Sequence, residues 1–307
     1  MKYTRHLLAV LLAVLLLTAC SAPTVEEQAA VTFTDALGYE VSLSHWDRVV
    51  SLYGSFAEVW LLAGGTLAGT TADAIEERQL ALGEDVAIVG TVKEPNLEEI
   101  IAADPDFVIL AADVAAQANF HDALTATAIP HAYYRTDTFD EYLTMLEQFC
   151  SLTGRQDLYE QNGLAVRSEI EAVLERAKGR PSPTALLVRA YSSGAKAKGA
   201  DNLAGVILED LGADNLVSRH ESLLEELNME EIIAADPDFL FITTMGSTDE
   251  AAMSYMADTF ESNPAWSGLS AVKNGRYLLL PRDLFHYKPN ARWGESYAYL
   301  ANILYPD

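Results

Sequence analysis

Apolar residues in this chain fall into short runs separated by stretches of helical periodicity, and the alternation continues from Val31 to the C-terminus. Val31 to Leu43 switches between apolar and polar positions around Leu37-Gly38, which predicts an opening hairpin. Val49-Val-Ser-Leu-Tyr53 reads as a strand, Gly54-Ser55 opens a helix through Leu62 that Gly64-Gly65 closes, and Leu67 to Thr71 and Ala87 to Gly90 return to strand. Phe107 to Leu110 and His131 to Tyr134 are further strands, with helix between Ala115 and Thr127. Strands alternating with helices predict a parallel sheet. From Asp140 to Lys178 the pattern is helical almost throughout, interrupted at Thr153-Gly154, with Gly179-Arg-Pro-Ser-Pro183 as its exit. The alternation then restarts: strand at Ala185 to Ala190, helix at Leu203 to Leu211, strands at Phe239 to Ile242 and Tyr277 to Leu280, and a closing helix from Asn290 to Leu304.

The restart is also literal. Asn96-Leu-Glu-Glu-Ile-Ile-Ala-Ala-Asp-Pro-Asp-Phe107 returns as Asn228-Met-Glu-Glu-Ile-Ile-Ala-Ala-Asp-Pro-Asp-Phe239, with only Leu97 and Met229 differing. Two copies disfavour a stacked array and favour two similar lobes, and two facing lobes make a cleft where a ligand binds. Each copy opens on an asparagine suited to an N-cap, and Glu99 and Glu231, three residues on, are placed to close a capping box. Ile100 and Ile101 are expected on the buried side of the first short helix, and Asp104-Pro105 should end it, because the residue before proline avoids helical angles. The same passage is expected at Asp236-Pro237.

The N-terminus has a separate job. Lys2 and Arg5 precede an apolar run from Leu7 to Leu17, too short for a permanent span but suited to an export signal. The run ends in Leu17-Thr-Ala-Cys20, and Ser21 to Ala30 is polar and small, as a tether would be. Cys150 is the other of the two cysteines, so once Cys20 is engaged no intramolecular disulfide can form, and stability must come from the core. The formal charge of −25 argues against a nucleic-acid surface. Basic residues are sparse before Arg135, whereas Arg189, Lys196, Lys198, Arg219, Lys273, Arg276, Arg282, Lys288 and Arg292 crowd the last third. If several of these line the cleft, an anionic ligand is expected.

These features resemble the substrate-binding lipoproteins of ABC importers for iron complexes and vitamin B12. The carriers are Thr32-Phe-Thr-Asp-Ala-Leu-Gly38, Arg48-Val-Val-Ser-Leu52, Asn96 to Leu110, the second copy, and Asn263-Pro-Ala-Trp-Ser-Gly-Leu-Ser-Ala-Val-Lys-Asn-Gly-Arg-Tyr277. Their order and spacing cover essentially the whole mature chain. The resemblance implies an α/β fold: two Rossmann-like lobes, each with a mainly parallel sheet, joined by a single long α-helix, with the ligand between them. The boundaries expected are a lipoprotein signal peptide over 1–20, a tether over 21–30, an N-terminal lobe over 31–136, a connecting helix over 137–183 and a C-terminal lobe over 184–307. Leu17-Thr-Ala-Cys20 resembles a lipobox, which would make Cys20 the lipidated residue and place an extracytoplasmic monomer on the bacterial cell membrane. The resemblance further implies one permease-docking glutamate per lobe, Glu98 and Glu230, left free by the capping role of their neighbours.

Residues after the C-terminal ends of parallel strands face the crevice. That rule selects Tyr53, and beyond it Asp73 and Tyr133 to Arg135, in the first lobe. In the second lobe it selects Arg189, Tyr191, Met245 and the loop from Arg282 to Asn290. Arg282, His286, Tyr287, Lys288 and Arg292 lie close together in sequence beside Phe285 and Trp293. Guanidinium forks suit carboxylates and catecholates, and aromatic rings cover flat organic surfaces. The ligand-binding set expected is therefore Tyr53, Arg189, Tyr191, Arg282, His286, Tyr287 and Arg292, around an iron complex of siderophore or haem-like type, with a corrinoid as the alternative. No covalently bound cofactor is implied. A direct zinc or manganese carrier would need converging ligands, whereas His45, His121, His131, His220 and His286 are scattered. Catalysis lacks a signature: there is no Gly-x-Ser-x-Gly elbow, and Gly194-Ala-Lys-Ala-Lys-Gly199 lacks a phosphate-loop ending.

Overall fold

The computed structural model describes residues 30–306 apart from Glu226 and Ser247; the expected signal, most of the tether and Cys20 lie outside them. The opening hairpin forms as predicted, with β1 (Val31–Thr34) antiparallel to β2 (Glu40–Leu43). The first lobe is a five-stranded, all-parallel sheet of β3 (Val49–Ser51), β4 (Leu67–Thr70), β5 (Ala87–Ile88), β6 (Phe107–Ala111) and β7 (His131–Tyr134), in the order β5-β4-β3-β6-β7. The second lobe pairs β8 (Thr184–Tyr191), β10 (Asp214–Asn215), β11 (Phe239–Thr244) and β12 (Tyr277–Leu279) in parallel, in the order β10-β8-β11-β12. Only β9 (Gly194–Lys198), folded back on β8, is antiparallel in that sheet.

Side-chain alternation divides the interior into three parts, as strands covered on both faces require. Val50, Leu52, Val108 and Leu110 form one cluster on the outer face of the first sheet. Leu186, Val188, Leu240 and Ile242 do the same for the second. The opposite faces, carrying Val49, Phe107 and Ile109 in one lobe and Ala185, Leu187, Phe239 and Phe241 in the other, belong to a single continuous apolar cluster. The two lobes therefore share a core. Its filling comes from the helical segment between the sheets and from the closing helix Trp293–Leu304.

That helical segment is two helices rather than one. Phe139–Thr153 begins with a capping box, in which Thr138 accepts from the Glu141 N–H and Glu141 accepts from the Thr138 N–H. It stops at Gly154, whose φ of +71° puts it in the left-handed region that glycine occupies without cost. The chain then reverses and runs as one helical stretch from Gln156 through a π turn at Glu160–Leu164 to Ala177. Gly163 lets this stretch lie against Phe139–Thr153, since a β-carbon there would sit 2.6 Å from the Leu143 side chain. The first helix packs on Gly54–Leu62 of the first lobe, and the second meets the closing helix of the second lobe, so the passage between sheets is made by Gln156–Ala177 alone.

The repeated segments form the same structure twice. Asn96 accepts from the N–H groups of Glu98 and Glu99, and Asn228 from those of Glu230 and Glu231. The capping boxes expected of Glu99 and Glu231 do not close. The Asn96 N–H is already donated to the Val89 carbonyl at 2.8 Å, and Glu231 instead accepts from the Ser222 hydroxyl at 2.5 Å. The expectation for the isoleucines is also half corrected: Ile100 is fully buried, but Ile101 is 42% exposed, and the second copy repeats this with Ile232 and Ile233. The helices end on Asp104 and Asp236, both left-handed, with φ of +51° and +42°. Two residues on, each copy has a second aspartate with a role that the pattern did not reveal. Asp106 accepts from the Asp47 and Arg48 N–H groups ahead of β3, and Asp238 from the Thr184 N–H and hydroxyl at the start of β8. Each carboxylate thus registers the neighbouring strand.

Candidate functional site

A cavity of about 400 Å³ lies between the lobes, lined by residues from both. The first lobe supplies Tyr53, Glu77, Asp113 and Asp137, and the second supplies Arg189, Asp201, Met245 and the run Phe285 to Lys288. Several of these sit just beyond the C-terminal ends of parallel strands: Tyr53 after β3, Asp113 after β6, Asp137 after β7, Met245 after β11.

Tyr53 is held by close approach. It is the N-cap residue of helix Gly54–Leu62, and Asp73 accepts the Gly54 N–H at 2.8 Å and the Thr71 hydroxyl at 2.6 Å. A β-carbon at residue 54 would lie 2.5 Å from the Ala74 nitrogen, so the turn that aims Tyr53 requires glycine. Asp73 is therefore buried scaffold, and burial raises its pKa against the pull of these hydrogen bonds. Gln117 anchors the neighbouring loops, donating to the Leu52 and Val92 carbonyls and accepting from the Ala111 N–H at 2.7 Å. Desolvation pushes the Tyr53 phenol far above its usual range, and the carboxylates of Asp113, Asp73 and Glu77 push the same way, so it is a neutral hydroxyl in the cleft.

In the second lobe, Arg189 lines the cavity from the end of β8. His286 and Tyr287 stand edge to face with centroids 4.8 Å apart. Burial, and then the adjacent Arg282 cation, lower the His286 pKa to about 4, which leaves a neutral imidazole at physiological pH.

Arg282, Tyr191 and Arg292 do not reach the cavity wall. Arg282 donates to Asp249 at 3.1 Å, to Thr244 at 3.2 Å and to the Gly246 carbonyl at 2.6 Å, and its guanidinium lies over the Tyr287 ring. It positions Tyr287 and His286 rather than facing the space. Tyr191 sits at the hairpin turn, paired with Gly194 across β8 and β9. Arg292 is taken up by Asp283 at 2.9 Å and Glu295 at 2.8 Å. Phe285 is buried and contributes to the wall, whereas Trp293 is core, edge to face with Phe139. Tyr133 and Tyr134 are also buried, Tyr133 bonded through its hydroxyl to the Gln117 carbonyl.

The basic last third does not make a basic cleft. Of its nine cations only Arg189 and Lys288 line the cavity, and Lys288 crosses to the first lobe, where Asp137 accepts from it and Asp113 lies 3.9 Å away. Lys196, Lys273 and Arg276 are exposed elsewhere, and Arg219 pairs with Asp214. Lysine and arginine look alike in a sequence whether they face a ligand or a carboxylate; only the partners decide.

Lys288 is one of three ties that strap the loop after helix Arg282–Phe285 onto the first lobe. Arg78 donates to the Lys288 carbonyl at 2.8 Å, and the Asn290 amide donates to the Ser55 carbonyl at 2.9 Å and to Glu58 at 2.6 Å. Asn290 is fully buried with φ of +52°.

Two parallel-sheet lobes with a shared core, and a cavity at their strand ends, define a two-lobed ligand-capturing protein. Residues 49–284 match the family described as Periplasmic binding protein, and the chain belongs to it. Members of this family are transport components that present small cargo to ABC permeases outside the cytoplasm; they are not enzymes. The chain is 28% identical over 244 residues to the Fe(3+)-citrate-binding protein YfmC of Bacillus subtilis, covering 77% of this chain and 73% of the relative. It is 23% identical over 212 residues to the ferric-anguibactin-binding protein FatB of Vibrio anguillarum, covering 66% and 64% respectively. In three dimensions it resembles Staphylococcus aureus SirA, solved in complex with staphyloferrin B, with a TM-score of 0.65 at 21% identity, covering 90% of this chain and 97% of the other.

Proposed function

We propose that this chain is the lipid-anchored, monomeric cargo subunit of an ABC importer, binding an iron complex between its lobes and docking on the permease through Glu98 and Glu230. The observation that carries the reading is the cavity of about 400 Å³ with Tyr53 on one wall and Arg189, His286 and Tyr287 on the other. It offers hydroxyl, guanidinium and neutral imidazole groups for chelate oxygens, and aromatic faces for an organic ligand. The names of its relatives YfmC and FatB support iron as the metal of the cargo. The same names speak of ferric chelates rather than bare ions, which favours a chelate over direct capture of zinc or manganese.

Exposed Glu98 and Glu230 occupy equivalent positions of the two repeated helices, one per lobe, and their side chains are not used in capping. Cys20 supplies the anchor. Tryptophan fluorescence during titration with ferric siderophores, haem and cobalamin tests the cargo. One-to-one quenching by an iron complex is expected, and quenching by cobalamin alone overturns the iron reading in favour of a corrinoid. Glu98→Arg with Glu230→Arg should abolish uptake by cells while leaving cargo affinity unchanged; intact uptake refutes the docking assignment.

A further inference from the structure

Resting on the iron-complex reading, we infer that the cleft selects chelates of zero or positive net charge, anchoring one chelate oxygen on Arg189, and rejects polyanionic chelates. The charged groups on the cavity wall are Glu77, Asp113, Asp137 and Asp201 against Arg189 and Lys288. Lys288 is only 14% exposed and faces both Asp137 and Asp113, so its charge is neutralised within the protein. Asp201 is matched by Lys198, 2.5 Å away behind the wall. Arg282 is matched by Asp249 at 3.1 Å.

What remains facing the space is Arg189, for which the described residues show no ion pair, together with Glu77 and a share of Asp113. His286 adds no positive charge near neutral pH, since its pKa lies near 4. A chelate whose carboxylates or catecholates outnumber the ferric charge would find one cation and at least as many fixed anions. In a partly desolvated cleft such like-charge contacts are screened less by salt than at an open surface. A neutral tris-hydroxamate avoids the repulsion, and one carrying a free ammonium group gains from Glu77 and Asp113. Arg189 can still donate to a single hydroxamate oxygen in either.

The test is titration of the purified chain, by tryptophan fluorescence at low and moderate salt, with four probes: a ferric tris-hydroxamate bearing a free ammonium group, a neutral ferric tris-hydroxamate, ferric dicitrate and a ferric tris-catecholate. The first two should bind at least about tenfold more tightly than the last two, with the gap narrowing as salt rises. Glu77→Gln combined with Asp113→Asn should improve ferric dicitrate binding about tenfold and weaken binding of the ammonium-bearing chelate. Tighter binding of ferric dicitrate or the catecholate by the unaltered chain overturns the charge selection and leaves the iron reading standing. No gain for dicitrate in the double variant overturns it as well. Failure of all four probes to bind overturns both readings.

Discussion

The strap at Asn290 offers the sharpest test of how the lobes are held together. Asn290→Ala removes the amide donor shared by the Ser55 carbonyl and the Glu58 carboxylate, at 2.9 and 2.6 Å, from a fully buried position. A neutral hydrogen bond contributes about 1 kcal/mol and one to a charged acceptor about 1.5–3 kcal/mol. Arg78 also pairs with Glu58, so the carboxylate is not left wholly unpartnered, which favours the lower end of that range. The backbone adds a further cost, because alanine at φ of +52° is strained by about 1 kcal/mol relative to a residue that tolerates the left-handed region. Asn290→Ala should therefore lose about 3–4 kcal/mol and Asn290→Gly about 2–3 kcal/mol. Urea denaturation followed by tryptophan fluorescence measures both, with the alanine midpoint falling by roughly 1 M. If both variants stay within about 0.5 kcal/mol of the parent, the strap does not hold the lobes. If alanine and glycine lose the same amount, the backbone part of the reasoning is wrong.

Other outcomes follow from the same geometry. Because the His286 pKa is depressed to about 4 from 6.5, the unfolded chain binds more protons between those values; stability should rise with pH across that window and level off above it. His286→Gln should flatten that slope in urea midpoints taken at several pH values, and an unchanged slope refutes the assignment. Ile100→Ala should cost about 2–5 kcal/mol, whereas Ile101→Ala, at an exposed site, should stay within about 0.5 kcal/mol by the same assay. Gly54→Ala forces the backbone at residue 54, and with it the adjoining Tyr53, away from Asp73 and Ala74, and should weaken cargo binding at least about tenfold in titrations, with a measurable loss of stability.

Much of this architecture was legible in the chain because it depends on local chemistry. The hairpin, the strands, the N-caps at Asn96 and Asn228 and the break at Gly154 follow from periodicity and turn residues that act within a few positions. What escaped was pairing across distance. Asp106 and Asp238 carried no signal of their own beside the helix-stop pairs Asp104-Pro105 and Asp236-Pro237, yet they hold the strands that begin near Arg48 and at Thr184. Glu99 lost its capping box because the Asn96 N–H was already committed to Val89. Tyr53, Arg189, His286 and Tyr287 were found by the strand-end rule, while Glu77, Asp113, Asp137 and Asp201 were missed because acidic loop residues are common in so acidic a chain. Asn290 had no local signal beyond its type, since its partners lie more than two hundred positions away.

The apolar cluster common to both sheets makes the two halves inseparable as folding units. Cutting the chain between the lobes would bare Phe139, Trp293 and Leu300 to water together, so neither fragment is an independent domain despite its own complete sheet. Heat should melt the protein in a single transition. A cargo that touches only the cleft then raises the melting temperature of the entire molecule by mass action, and a thermal-shift screen reads occupancy from any tryptophan, however far from the ligand.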